Sequence, residues 1–350
     1  MTAWKKLIFQ NRLYVGMLLF VLLVNSLSGR LPGEQRPPSP ADSLTRIQQN
    51  LEQKLRSQEE VVKLLEEKRH LTAALIILGT AGILALFLGI VFIFALVLAR
   101  TAGKEIVDFG FPVPPAAWSV GDVIRVVVLF LFFSHCIFLV EAAVFSAVSV
   151  PESSLRLARI FNGVLFDFVG LALILYFVLV KYRQRLISLG LTFNHWIKNT
   201  SLGLAGYIFI LPLLMLLRWI SLLIARGFHY QPQLNPAVEI FWEEKSLWFL
   251  LGLTLFVCVV GPLIEELFFR GFVYSAIKKE WGRTRAILLS SVFFASLHLN
   301  PVDFLPILLL GVLLAWIYEK TGSLFSALTV HVLNNSVAFL FLFLLKALFG

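Results

Sequence analysis

Charge is scarce in this sequence: Asp, Glu, Lys and Arg make up 15% of its 350 residues, against 59% hydrophobic residues and a mean hydropathy of +0.86. A soluble domain carries about 25% charge and cannot hide so much apolar surface, so the composition excludes that class and leaves a polytopic membrane protein. Cysteine is nearly missing. Cys136 and Cys258 are the only two, both inside apolar runs, which excludes a disulfide framework and leaves the redox compartment unread. No HExxH occurs, so the familiar helical zinc-protease signature is absent, and there is no internal repeat of the kind many transporters show. The net charge of +9 forms no single basic face. Its lysines and arginines sit between apolar segments, where they act as topology signals and give no nucleic-acid footprint.

Apolar stretches of spanning length fall near 13–27, 71–99, 126–149, 160–180, 201–225, 248–274, 287–299, 304–318 and 324–345. The expected fold class is therefore all-α, a polytopic membrane protein with eight to nine transmembrane helices. Lys5, Lys6 and Arg12 favour a cytoplasmic N-terminus, and Arg100, Lys104, Lys181, Arg183, Arg185, Lys198, Lys278, Lys279, Arg283, Arg285 and Lys320 then fall on the same side. The opposite loops are poor in Lys and Arg, and nine spans put the C-terminus outside. The first stretch, residues 1–28, reads as an uncleaved anchor; its competitor is a signal peptide ending in the small residues 26–29.

Residues 29–70 form the one sizeable extracytoplasmic segment. A Pro/Gly-rich linker at 31–40 leads to Ser43, a candidate N-cap, and Leu44, Ile47, Leu51, Leu55, Val62 and Leu65 approximate helical spacing. Lys54 and Gln58 break the heptads, so a solvated helix running into the second span is preferred to self-association through 43–70. Residues 109–115 and 227–236 are expected loops.

The chemistry concentrates near the C-terminus. Residues 261–270 read GPLIEELFFR, placing Glu265, Glu266 and Arg270 in an apolar run where each charge costs roughly 2.5–3.5 kcal/mol to insert. Glu266 and Arg270 are i,i+4 neighbours and should pair along one face, whereas Glu265 projects about a third of a turn away and is left without a local partner. An unpaired carboxylate in a low dielectric is suited to general acid–base work. His298 follows on the next apolar stretch, with His331 and its i,i+4 neighbour Asn335 on a later one. Counted from Lys278, Arg285 and Lys320, these groups sit roughly 16–23 Å along their helices, a matched depth. His135, Glu141, Asp167 and Arg218 are also intramembrane; pairing of Glu141 or Asp167 with Arg218 would explain some of them structurally.

Three patterns carry a resemblance: EExxxR at Glu265, Glu266 and Arg270, FxxxH at Phe294 and His298, and HxxxN at His331 and Asn335. Each alone is weak, but all three in this order are specific, and the second half of the chain resembles the CPBP (CAAX protease and bacteriocin-processing, or Abi) family of intramembrane endopeptidases. The resemblance assigns residues 183–350 to the protease domain and 71–182 to additional transmembrane helices. It implies that Glu265, with His298, activates a water for attack on a peptide carbonyl, while His331 and Asn335 stabilise the oxyanion. Glu266, Arg270 and Phe294 would support them, and the partners implied are a peptide or membrane-protein substrate and the bilayer.

Glu265, His298 and His331 would equally make a three-ligand zinc site with an open fourth position. No cofactor is expected, because Asn is a poor zinc ligand and the resemblance leans to a glutamate-activated water. A proton-coupled transporter and a non-catalytic membrane scaffold are the readings from other classes. A bacterial cytoplasmic membrane is the expected location.

Overall fold

The computed structural model describes residues 11–28, 58–103, 113–148, 152–230, 232, 235–298 and 300–349. The expected linker at 31–40, the Ser43 cap, Lys5, Lys6 and Lys104 lie outside the described residues. Among those described, every regular element is helical. In chain order they are α1 (Arg12–Ser28), α2 (Gln58–Glu67), α3 (Arg69–Thr101), α4 (Val120–Ala147) and α5 (Glu152–Leu175, extended by a π turn, Tyr176–Lys181). A 3₁₀ turn at Leu186–Leu189 precedes α6 (Trp196–Gly227) and the short α7 (Pro236–Glu243). The last four are α8 (Leu247–Trp281), α9 (Arg283–Ser296), α10 (Pro301–Thr321) and α11 (Leu324–Phe349).

Seven of these are long and apolar enough to cross a membrane: α3, α4, the 161–181 part of α5, α6, α8, α10 and α11. The two other expected spans are shorter helices, α1 with 17 residues and α9 with 14. Fourteen residues rise only about 21 Å, less than a bilayer core of about 30 Å. His298 lies on the turn after α9 and not within the expected span 287–299.

Polar contacts sort the helix ends onto two faces. On one, Arg125 bonds Asn11 at the start of α1, at 3.1 and 3.2 Å, and buried Asp122 accepts from Arg125, Lys181, Ser119 and Tyr182. Burial and the Asp122 carboxylate push the Tyr182 phenol up to about 12, which keeps it a donor. Lys279 reaches the Ala117 and Trp118 carbonyls, and Lys278 pairs with Glu319 at 2.7 Å, on the same face. On the opposite face Lys68, at the junction of α2 and α3, donates to the Ala347 and Leu348 carbonyls. It satisfies acceptors that the C-terminus of α11 leaves open.

One apolar core unites the helices before and after residue 183. Trp118 stacks on Phe272 with ring centroids 5.2 Å apart and donates its indole N–H to the Phe272 carbonyl at 2.8 Å. Val123, Ile174 and Phe177 pack into the same cluster as Leu314, Tyr318 and Val330. The turn before α6 is pinned against α10: Gly190 has φ +83°, and a Cβ there would stand 2.5 Å from the Tyr318 ring. Only glycine tolerates both the backbone and the contact. α6 in turn packs against α10 and α11, with α3 on its outer side.

Candidate active site

The helix that carries the glutamate pair is irregular for a reason readable in its residues. Pro262 has no N–H, and the chain just before it is π-helical over Phe256–Val260, with the Gly261 N–H bonding the Phe256 carbonyl. The next bond in that register would run from residue 262 to the Val257 carbonyl, and proline cannot make it. Asn335 of α11 supplies the missing donor: its Nδ2 reaches Val257 O at 3.0 Å. The orphaned acceptor of α8 thus ties the two helices together about two turns before Glu265. A second π segment, Leu267–Tyr274, follows the pair.

Glu266 and Arg270 form the expected ion pair, 2.8 Å apart and both buried. Arg270 also donates to the Gly311 carbonyl of α10 at 3.4 Å and lies over the Phe294 ring, 4.6 Å from its centroid. A buried guanidinium is held by a carboxylate, a carbonyl and an aromatic face.

His331 joins the two glutamates. Its Nδ1 is 2.8 Å from Glu266 Oε1, and its Nε2 is 3.5 Å from Glu265 Oε2. An ionised carboxylate only accepts, so Nδ1 carries a proton and Nε2 is turned towards Glu265. The expectation that Glu265 lacks a partner is corrected here: the partner comes from α11, which local spacing within α8 could not show. Glu265 keeps 34% of its side chain exposed, whereas His331 and Glu266 are buried.

His298 enters from the α9–α10 turn. Its Nδ1 lies 3.0 Å from the Phe294 carbonyl, which only accepts, so Nδ1–H is the donor there. Phe294 organises both imidazoles, meeting His298 edge-on at 4.9 Å and His331 at 5.7 Å and 90°. Among the described residues no three His, Cys, Asp or Glu side chains are arranged to hold one metal ion.

The other intramembrane polar groups resolve differently from the expected pairing. Arg218 pairs with Asp303 at the start of α10, because α6 packs on α10, and not with Glu141 or Asp167. Glu141 accepts from Asn162 at 2.5 Å, and His135 is satisfied by the Leu131 carbonyl and Asn25. Asp167 lies close enough to Glu265 for their charges to interact, on a helix that packs against α8. Sequence reasoning missed the Val257 carbonyl, Asn334, which donates to Asn335 Oδ1 at 3.2 Å, and the approach of Asp167. Pro262 inside an apolar run was the available signal for the first.

All seven motif residues lie on α8, α9 with its following turn, and α11. Residues 246–337 match the family described as Type II CAAX prenyl endopeptidase Rce1-like. The motif resemblance holds. The chain is similar to UPF0177 protein YxdF of Lactococcus lactis subsp. lactis (strain IL1403), with 34% identity over 74 residues, 21% of this chain and 40% of that protein. It is also similar to the protein named "Putative membrane peptidase YdiL" of Bacillus subtilis (strain 168), with 28% identity over 78 residues, 22% of this chain and 32% of that protein. The matches span less than half the length of either relative. No solved structure matches. Seven membrane-length apolar helices make this an integral membrane protein, and it carries an Rce1-like segment.

Proposed function

We propose that the protein is an intramembrane endopeptidase in which Glu265 and His298 activate a water against a peptide carbonyl. The observation that carries this reading is the placement of His331, held at Nδ1 by a buried, charge-compensated glutamate and aimed at Nε2 towards the partly exposed Glu265. That is a base with a polarising neighbour fixed by a third group, the arrangement that general acid–base chemistry requires.

Water held between Glu265 and His298 Nε2 gives a proton to the carboxylate as its oxygen adds to the carbonyl carbon. The C–N bond then breaks, and Glu265 returns the proton to the leaving nitrogen. Charge on the carbonyl oxygen is met by His331 and by the second N–H of Asn335, whose first is spent on Val257. Glu266 and Arg270 hold His331 in place and neutralise each other. Zinc bound by Glu265, His298 and His331 is the rival source of an activated water.

The face bearing Lys278, Lys279 and Lys181 belongs in the cytoplasm of a bacterial cell by the positive-inside rule, with the N-terminus on the same side. The substrate class is a peptide or membrane protein. The test is comparison of membrane peptides from cells carrying the parent protein and Glu265→Gln, read by mass spectrometry. Species that accumulate only with Glu265→Gln, and that the purified parent cleaves, support the reading; identical peptide sets and no cleavage overturn it.

A further inference from the structure

Arg218 stands well inside α6, an apolar helix of 32 residues, where a cation is costly and needs a task. Neutralising Asp303 is one. The hydrogen bonds around Asp303 point to a second, because they lead from α6 to the turn that carries His298. We propose that Arg218 is a positioning residue for His298, acting through Asp303 and Asn300 to fix the α9–α10 turn against α6. The proposal rests on the catalytic role given to His298 above.

The path runs bond by bond. Arg218 pairs with Asp303 Oδ1. The other carboxylate oxygen, Oδ2, accepts from the Asn300 side-chain amide at 2.7 Å. The Asn300 backbone N–H donates to the His298 carbonyl at 2.6 Å, and the His298 N–H donates to the Ala295 carbonyl at 3.2 Å. With its ring bonded to the Phe294 carbonyl as well, His298 is held by α9 on one side and by the start of α10 on the other.

The cap of α10 is arranged to transmit this restraint. Asn300 is the N-cap, its side-chain oxygen accepting from the Val302 N–H at 3.2 Å, and Asp303 is the third residue of the helix. In a capping box the carboxylate at that position bonds the N-cap backbone N–H and so closes on its own helix. Here Asp303 holds the Asn300 side chain, and the Asn300 N–H is directed back at His298. Pro301 restricts Asn300 to the extended backbone it adopts, with φ −94° and ψ 114°, so the turn has little freedom of its own. Its orientation follows the first turn of α10, and Arg218 ties that turn to α6. The restraint matters for rate, since displacing a catalytic group by about 1 Å costs on the order of 10²-fold.

The experiment uses the full-length protein in nanodiscs. It reads thermal unfolding, backbone hydrogen exchange, and cleavage of a peptide identified in the Glu265→Gln comparison. Arg218→Gln should lower kcat about 10–10²-fold at unchanged KM, and speed exchange in peptides covering 298–303 while those from α11 exchange as in the parent. Arg218→Lys keeps an N–H donor for Asp303 and should recover most of the lost rate. Asn300→Asp keeps the ion pair and a side-chain cap but offers Asp303 an acceptor where it had a donor. It should reproduce the lower kcat and the faster exchange, and it carries the test if Arg218→Gln fails to fold. Parent kcat in Asn300→Asp, or a lowered unfolding temperature with kcat per folded molecule intact, would overturn the proposal by leaving Arg218 a structural neutraliser only. Faster exchange in the variants of a protein whose parent cleaves no peptide would instead sink the peptidase reading while upholding the brace.

Discussion

Nδ1 of His331 lies 2.8 Å from Oε1 of Glu266, and that contact gives two adjacent glutamates different work. Glu266 is consumed by Arg270 and His331, whereas Glu265, one residue earlier and about a third exposed, faces the far nitrogen of the same ring.

Glu265→Gln and His298→Ala should each lower peptide cleavage by on the order of 10²–10⁴, the usual contribution of a positioned acid or base. Neither should change the unfolding temperature, since neither removal strands a buried charge. Turnover near the parent value in either purified variant would sink the assignment.

Arg270→Ala and Glu266→Ala should instead unfold or deplete the protein. Each leaves an uncompensated charge in a pair buried on both sides, at a cost of roughly 3–5 kcal/mol. Folded yield and thermal unfolding in detergent measure this; an Arg270→Ala protein as stable as the parent would remove the structural role given to the pair.

Asn335 has two tasks, and Pro262 separates them. Asn335→Ala should cost about 1 kcal/mol for the lost bond to Val257 and on the order of 10²–10³ in rate if its second N–H meets the oxyanion. Pro262→Ala restores a backbone donor to Val257 and competes only with the tether. It should leave stability intact and reduce activity less than Asn335→Ala does. Equal losses in both variants would mean that Asn335 acts through the tether alone.

The metal question separates the two water-activation routes. If Glu265 is the base, protein stripped by a strong chelator should keep its activity. Zinc at about one per chain, whose removal abolishes and whose return restores cleavage, would establish the ligand set Glu265, His298 and His331 instead.

The Glu266–Arg270 pair was legible because i,i+4 contacts lie within one helix, and the motif order pointed to α8, α9 and α11 as the segments that meet. The partner of Glu265 was not legible, nor was the Arg218–Asp303 pair, since both link residues from different helices. Depth counted along the chain placed His298 inside a span, but α9 stops at Ser296, with His298 on the turn before α10.

The sequence by itself determined the membrane class, the sites of most helices and which residue types carry the chemistry. Hydrophobic length and i,i+4 spacing are local properties that each segment holds alone. Tertiary structure decided what those residues do: which glutamate is neutralised, which nitrogen of His331 faces Glu265, and how the carbonyl orphaned by Pro262 is satisfied from α11. Those outcomes follow from packing between helices, because a buried donor or acceptor must find its partner wherever the fold brings one within about 3 Å.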